Sequence, residues 1–158
     1  MLLTLACGGG RAPAPSMTAP TPPPAVPPPA PSAALAGSWL GRATDSQGDT
    51  DVSWSLMQTG NTVTGTVTTQ AVNRDDGSCN SCHRNKSGSV SGVMSGATLT
   101  LTMFFAAGVD GDPTPACSAM VTGTATVADE RTLRGVYSGA DTCEGAFANG
   151  SLAMARQP

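Results

Sequence analysis

Residues 61–68 read Asn-Thr-Val-Thr-Gly-Thr-Val-Thr, an alternation of threonine with a small or apolar residue. Successive side chains of a β-strand point to opposite faces, so Val63, Gly65 and Val67 share one face and the threonines share the other. Threonine is β-branched, favours an extended backbone and tolerates water, which suits the outer face. The stretch therefore predicts a β-strand with one buried face and one solvated face.

The same period of two recurs from Gly37 to the C-terminus, and we find no convincing helical period. Short links at 59–60, 95–96 and 128–131 separate some of the runs, and the first two contain or adjoin the Gly and Asn residues that turns favour. The predicted strands lie near residues 37–44, 51–58, 61–69, 87–94, 97–105, 117–127, 132–139 and 146–155.

Eight antiparallel strands in sequence order predict a single up-and-down β-barrel, which closes its own edges. A two-sheet β-sandwich is the alternative. Several predicted inward positions hold glycine, which fits a tightly curved sheet in either architecture. These glycines are Gly41, Gly65, Gly92, Gly123 and Gly135.

The composition argues against several classes of function. Of the 158 residues, 12% are charged and 4% are aromatic, and the formal net charge is −3. A nucleic-acid-binding surface is normally basic, so no nucleic-acid partner is expected. No run approaches the roughly 18 apolar residues of a membrane-spanning helix. The chain contains a single histidine and no hydrolase, phosphate-loop or H-E-x-x-H motif, so we predict that it is not an enzyme.

The N-terminus, Met-Leu-Leu-Thr-Leu-Ala-Cys-Gly-Gly-Gly, resembles the end of a bacterial lipoprotein signal. In that family a short apolar stretch ends in a small residue before a cysteine, and Ala6-Cys7 matches this pair. Because a signal needs roughly 7–15 apolar residues, we expect the true start to lie upstream of Met1. The resemblance implies lipidation of Cys7 and a lipid-anchored location in the bacterial cell envelope, at the outer membrane and either periplasmic or surface-exposed.

A proline-rich segment follows, and residues 11–36 hold most of the chain's 13 prolines. Proline fixes φ, so the segment is expected to be extended, at roughly 3 Å per residue where it forms polyproline II. It has no apolar periodicity and is predicted to be a disordered stalk. The predicted organisation is a truncated signal and lipidation site at 1–7, a linker at 8–36 and a barrel domain at 37–158.

Gly37-Ser38-Trp39 opens the first predicted strand and resembles the G-x-W motif of the lipocalins. Their relatives, the avidins, open with a similar strand that carries a tryptophan. The resemblance covers strand order, domain size and this motif, and it implies a calycin-type small barrel. In lipocalins a late arginine packs over the tryptophan, so Arg156 is expected to make a cation–π contact with Trp39. The resemblance implies no particular ligand.

Alternate links of an up-and-down barrel lie at the same end. The longer predicted links, 45–50, 70–86, 106–116 and 140–145, therefore share the end opposite the stalk. Most of the chain's acidic residues belong to this end, and we call them the acidic rim. Its members are Asp45, Asp49, Asp51, Asp75, Asp76, Asp110, Asp112, Asp141 and Glu144.

Loops on a rigid scaffold are the usual place for binding, so the acidic rim is the predicted binding region. Small inward residues are expected to leave room for a cavity. The predicted function is binding of a small apolar ligand or of a cation such as Ca²⁺, by a monomer. The alternative is a structural surface protein that contacts other proteins.

Cys79, Cys82, Cys117 and Cys143 also belong to the rim end. If Val127 faces Leu133, the same register places Cys117 opposite Cys143, and cross-strand neighbours are close enough for a disulfide. Cys79 and Cys82 then pair by default, although other connectivities are formally possible. An exported protein oxidises its thiols, which disfavours a zinc site.

Cys79-Asn-Ser-Cys82-His83 also matches the C-x-x-C-H attachment signal of c-type haem. Haem attachment would use His83 as an iron ligand and would need an apolar pocket. The motif lies instead in a polar segment between Thr- and Ser-rich strands. We predict a disulfide-linked loop, with a haem carrier as a further alternative.

Overall fold

A computed structural model describes Gly10 and residues 33–72, 85–108 and 117–158. Each strand in this part of the chain pairs antiparallel with its sequence neighbours, and the first pairs with the last, which closes a barrel. The predicted barrel is confirmed, and the sandwich is excluded. The strands are β1 (Gly37–Asp45), β2 (Gly48–Thr59), β3 (Thr62–Ala71), β4 (Ser87–Ser95), β5 (Thr98–Phe105), β6 (Ala119–Val127), β7 (Thr132–Asp141) and β8 (Gly145–Arg156).

The period-two pattern explains which side chains fill the barrel. In β3, Val63 and Val67 are buried while the threonines between them are exposed. On the outer wall, Thr100 of β5 stands opposite Thr124 of β6. The inside is a continuous apolar core that includes both tryptophans. The described residues contain no helix long and apolar enough to cross a membrane.

Inward glycines allow neighbouring strands to approach very closely. A Cβ added at Gly41 would lie 2.0 Å from the carbonyl oxygen of Ala153, and one at Gly65 would lie 2.1 Å from that of Ser55. At Gly150 the ring of Tyr137 already occupies the space, 2.6 Å from where a Cβ would be. The expectation that small inward residues leave a cavity is therefore wrong at these glycines.

The two ends of the barrel carry different links. We call the end with the links at 60–61, 96–97 and 128–131 the proximal end, because Ala33 enters there, and we call the opposite end the distal end. In the 128–131 link, Asp129 accepts hydrogen bonds from the Thr132 hydroxyl and the Arg131 amide, each at 2.7 Å. These two hydrogen bonds, the Thr132 bond first, hold the pKa of Asp129 below its usual value.

Two distal links are shorter than predicted. The expected 45–50 link is a two-residue turn at 46–47, because β2 already begins at Gly48 and Asp49 pairs with Thr44. Gly48 has φ of 128°, a conformation that side-chain-bearing residues rarely adopt. The expected 140–145 link shrinks to 142–144 in the same way.

Residues 33–36 close the proximal end, and we call them the strap. Leu35 is fully buried in the core, and the indole Nε1 of Trp39 donates to its carbonyl oxygen at 2.9 Å. Gln58 accepts from the Leu35 amide at 2.6 Å and donates to the Ala33 carbonyl at 3.2 Å. The packing thus includes Ala33, four residues before the predicted domain boundary at 37.

Arg156 completes this closure. Its guanidinium carbon lies 4.8 Å from the ring centroid of Trp39, as the lipocalin resemblance implied. The same guanidinium donates to the carbonyls of Ala34 and Ala36 in the strap. Gly37, the first residue of the motif, has φ of 127° and links the strap to β1.

Candidate binding site at the distal end

Polar side chains face the inside of the barrel at its distal end. Thr50 of β2, Thr69 of β3, Asp141 of β7 and Lys86, just before β4, are each at most 6% exposed. The alternation that buries Val52 and Trp54 also turns Thr50 inward. An otherwise apolar interior therefore ends in a polar mouth, which we define by these four residues together with Asp45, Gln47 and Tyr137.

Asp141 is a buried carboxylate held by N–H groups. Its Oδ1 accepts from the amides of Cys143 at 2.8 Å and Glu144 at 2.6 Å, which fixes the β7–β8 turn. Its Oδ2 accepts a longer hydrogen bond, 3.4 Å, from the side-chain Nε2 of Gln47. Across the described ranges, no Lys, Arg or His forms an ion pair with it.

Asp45 is the half-buried last residue of β1. Its Oδ1 accepts from the Gln47 amide at 2.8 Å, which fixes the β1–β2 turn. Its Oδ2 accepts from the Tyr137 hydroxyl at 2.7 Å, so β1 and β7 are joined at the mouth. Gln47 contacts both carboxylates, Asp45 through its main chain and Asp141 through its side chain.

Lys86 contributes a buried positive charge at the same end. Its Nζ donates to the carbonyl oxygens of Ala106 and Cys117, and its amide donates to the Thr69 hydroxyl at 3.1 Å. These bonds join the chain before β4 to the residues that follow β5 and precede β6. Main-chain carbonyls thus hold the ammonium group in place.

Some buried polar atoms of the described residues have no hydrogen-bond partner. At the mouth these are Oγ1 of Thr50 and Oε1 of Gln47. Deeper in the barrel, Nε1 of Trp54 also lacks a hydrogen-bond partner among the described residues. Trp54 follows Thr50 by four residues in β2, a distance of about 13 Å along the strand. Buried polar groups are normally hydrogen-bonded, so each such atom indicates a position where water or a ligand belongs.

The structure divides the predicted acidic rim. Asp45 and Asp141 face the mouth, whereas Asp49 and Asp51 belong to β2 and point outward from the wall. Asp49 accepts from the Thr44 hydroxyl at 2.7 Å, and Asp51 forms an exposed 3.2 Å ion pair with Arg42. Glu144 lies exposed in the β7–β8 turn. The remaining rim acids, Asp75, Asp76, Asp110 and Asp112, lie outside the described residues.

The Cys117–Cys143 disulfide is confirmed, with the two Cα atoms 5.8 Å apart. It joins Cys117, two residues before β6, to the β7–β8 turn, where the Ser118 amide also donates to the Thr142 hydroxyl at 3.1 Å. Cys7, Cys79, Cys82 and His83 lie outside the described residues. Lipidation, the second disulfide and the haem alternative therefore stay predictions.

Five mouth residues are not among the predicted site residues: Gln47, Thr50, Thr69, Lys86 and Tyr137. Gln47 and Thr50 were assigned to a loop, because β2 was expected to begin at 51. Thr50 has the same parity as Val52 and Trp54, so extending the alternation by one step would have placed it inside.

Hollows lined by described residues also occur away from the mouth. One, of about 680 Å³, lies on the outer wall over β5 to β8 and is floored by threonine and serine side chains. Another, of about 850 Å³, lies at the proximal end beside the strap. Both are open to solvent. The proximal hollow is lined by Arg156, whose Nε is also buried without a hydrogen-bond partner among the described residues.

No protein-family model matches the chain, and no curated protein matches its sequence. Solved structures do match. The chain has the fold of small eight-stranded β-barrels. A redesigned β-barrel, b11L5F_LGL, has a TM-score of 0.52 at 16% identity, over 78% of this chain and 92% of that one. EF1p2_mFAP2b, solved bound to DFHBI, has a TM-score of 0.52 at 12% identity, over 78% and 94%.

A de novo designed fluorescence-activating β-barrel matches with a TM-score of 0.48 at 17% identity, over 78% of this chain and 94% of that one. At these identities the similarity to the two barrels with the higher scores shows the fold alone.

Proposed function

We propose that the protein is a non-catalytic binding module whose distal mouth takes up a small ligand. The observation that carries this proposal is Oγ1 of Thr50, which has no hydrogen-bond partner among the described residues although Thr50 is only 2% exposed. Leaving a buried hydroxyl unsatisfied costs about 1–3 kcal/mol, so its retention favours a ligand or water that completes it. The nearby unpartnered Oε1 of Gln47 adds a second acceptor.

The barrel architecture is compatible with this role. A barrel of the same fold, EF1p2_mFAP2b, was solved bound to DFHBI, a small molecule. A fold does not determine a function, so the similarity supports the proposal only together with the polar mouth. The proximal end is a poorer candidate because the strap and Arg156 cover it.

We further propose that Cys7 is lipidated and that residues 8–36 tether the barrel to a membrane of the bacterial envelope. The support is the Ala6-Cys7 pair and the entry of the chain at Ala33, at the end opposite the mouth. Expressed behind a complete lipoprotein signal sequence, the protein is expected in the membrane fraction with an acylated N-terminal cysteine, whereas Cys7→Ser is expected in the soluble fraction. An unmodified Cys7 in a wild-type soluble protein would contradict the proposal.

The binding proposal is tested by titrating the full chain with DFHBI, 8-anilinonaphthalene-1-sulfonate and a medium-chain fatty acid. At least one probe should bind in a saturable way. Thr50→Val should weaken that binding about threefold to tenfold, as expected for one lost hydrogen bond. Thr100→Val, the same change on the outer wall, should leave it unchanged. Absence of saturable binding, or equal effects of the two variants, would overturn the proposal.

A further inference from the structure

We infer that the distal mouth is a site for a hard divalent cation of the Ca²⁺ type. The ligands would be oxygen atoms of Asp45, Gln47, Thr50 and Asp141. This inference rests on the proposed binding role of the mouth and names the chemical class of its ligand.

The first argument is the charge of Asp141. A carboxylate buried to this extent is normally paired with a cation or bound to a metal, because burial strongly disfavours an isolated charge. Asp141 is 6% exposed, and among the described residues its hydrogen-bond donors are the neutral N–H groups of Gln47, Cys143 and Glu144. Lys86, the buried cation at this end, donates to the carbonyl oxygens of Ala106 and Cys117.

The second argument is the side-chain amide of Gln47. Its Nε2 makes a 3.4 Å bond to Oδ2 of Asp141, near the outer limit of a hydrogen bond, while its Oε1 is buried without a partner. Rotation of the amide by 180° would exchange these two atoms. In the rotated orientation, Oε1 would face Oδ2 of Asp141, and the two oxygens would repel each other. A cation bound to both oxygens would make this orientation favourable.

The third argument is the hydroxyl of Thr50. Thr50 is only 2% exposed, and its hydroxyl has no hydrogen-bond partner among the described residues. Asp45 pairs with Gly48, so Thr50 lies on the diagonal from Asp45 across the β1–β2 hairpin. Diagonal Cβ atoms are about 7 Å apart, a separation that a hydroxyl and a carboxylate can span with a shared cation at about 2.3–2.6 Å.

The chemistry of these groups selects the class of metal. Carboxylate, amide and hydroxyl oxygens suit Ca²⁺, whereas zinc prefers His and Cys. Within the described ranges, no three or more His, Cys, Asp and Glu side chains lie together as a metal site. The proposed set therefore has only two carboxylates, those of Asp45 and Asp141, and relies on neutral oxygens of Gln47 and Thr50 for its other ligands. Two carboxylates with neutral oxygens predict weak binding, with Kd on the order of 10⁻⁴–10⁻³ M.

The experiment measures Ca²⁺ binding to the full-length, oxidised chain by calorimetry, and Tb³⁺ binding by luminescence. Tyr137 is the chain's only tyrosine and its hydroxyl contacts Asp45, so a lanthanide at the mouth should be excited through it. Ca²⁺ should displace Tb³⁺ and raise the melting temperature.

Matched variants locate the site. Asp141→Asn keeps an acceptor for the turn amides and removes one charge, so Ca²⁺ affinity should fall about tenfold or more. Gln47→Glu adds a carboxylate and should tighten binding about fivefold or more. Asp49→Asn makes the same charge change on the outer wall and should alter Kd by less than about twofold.

Three results would each overturn the inference. The first is an equal effect of Asp141→Asn and Asp49→Asn on Ca²⁺ affinity, and the second is weaker or unchanged Ca²⁺ binding in Gln47→Glu. The third is no binding of Ca²⁺ at millimolar concentration. If an organic probe binds in a Thr50-dependent way and Ca²⁺ does not bind, the cation site is contradicted but the proposed binding function is supported. Failure of both kinds of probe would remove both.

Discussion

Single residues explain how the proximal end stays closed. Arg156 stacks on Trp39 and donates to two carbonyls of the strap, so one side chain joins β8, β1 and residues 33–36. A guanidinium suits this task because its planar fork can stack and donate several hydrogen bonds at once. Arg156 adds to the bonds that Gln58 and Trp39 make with the strap, which together hold Leu35 in the core.

Arg156→Ala should lower the free energy of unfolding by about 1–3 kcal/mol, the value expected for lost charged hydrogen bonds and a cation–π contact. Arg156→Lys should recover only part of this loss. Urea denaturation followed by tryptophan fluorescence measures both. Arg42→Ala is the control, because its ion pair with Asp51 is exposed and contributes only about 0–1 kcal/mol. Equal losses in the Arg156→Ala and Arg42→Ala variants would contradict this account of the strap.

At this scale the sequence predicts some contacts and misses others for identifiable reasons. The Gly37-Ser38-Trp39 motif led to the Arg156 contact, and a simple register led to the Cys117–Cys143 disulfide. Gln47 and Thr50 were missed because Gly48 adopts a positive φ, which shortens the turn and extends β2 toward it. The positive φ of Gly48 is a backbone property that residue alternation does not reveal, whereas the inward side of Thr50 follows from the parity of Val52 and Trp54.

At the scale of strands, the barrel depends on where glycine and the disulfide lie. Gly41 and Gly65 have no room for a Cβ because the neighbouring backbone occupies that position. These glycines let the sheet curve sharply enough to close with eight strands. The Cys117–Cys143 disulfide then joins β6 to the β7–β8 turn at the distal end.

Gly41→Ala should destabilise the barrel by at least about 3 kcal/mol, because its Cβ would meet the Ala153 backbone and force the two strands apart. Gly60→Ala is the matched control. Its Cβ would contact nothing, and the cost should be about 1–2 kcal/mol for a φ of 59°. Thermal denaturation compares the two variants. A larger loss in Gly60→Ala than in Gly41→Ala would refute the role of close strand approach.

Replacing both Cys117 and Cys143 by alanine should lower the free energy of unfolding by about 3–4 kcal/mol, the loop-entropy value for a separation of 26 residues. The double variant keeps the Cys117 carbonyl that accepts from Lys86, so the effect reports the disulfide. Guanidinium denaturation under oxidising conditions measures it. A loss below about 1 kcal/mol would show that the disulfide does not restrain the unfolded chain.

At the scale of the whole molecule, the two ends of the barrel are chemically different. Among the described residues, the proximal end is covered by the strap and its hydrogen bonds, while the distal end combines the buried carboxylate of Asp141 and the half-buried one of Asp45 with unpartnered oxygens of Thr50 and Gln47. This difference arises only because β1 pairs with β8. That pairing brings Asp45 and Gln47 beside Tyr137 and Asp141, more than 90 residues away in sequence.

Sequence alternation predicted the strands and their order, since period two is a local property. It could not determine which rim acids face inward, because that depends on strand ends and turn lengths. Asp49 illustrates this limit: β2 already begins at Gly48, so Asp49 belongs to the strand rather than to the expected 45–50 link and points outward.

The most direct test of the closed barrel is nuclear Overhauser spectroscopy of the isotope-labelled chain. We predict cross-strand contacts between β1 and β8, such as Leu40 with Ala155, together with contacts from the Gln47 side-chain amide to residues 141–144. If β1 and β8 show no mutual contacts and their facing amides exchange freely with solvent, the barrel is open and the distal mouth does not exist.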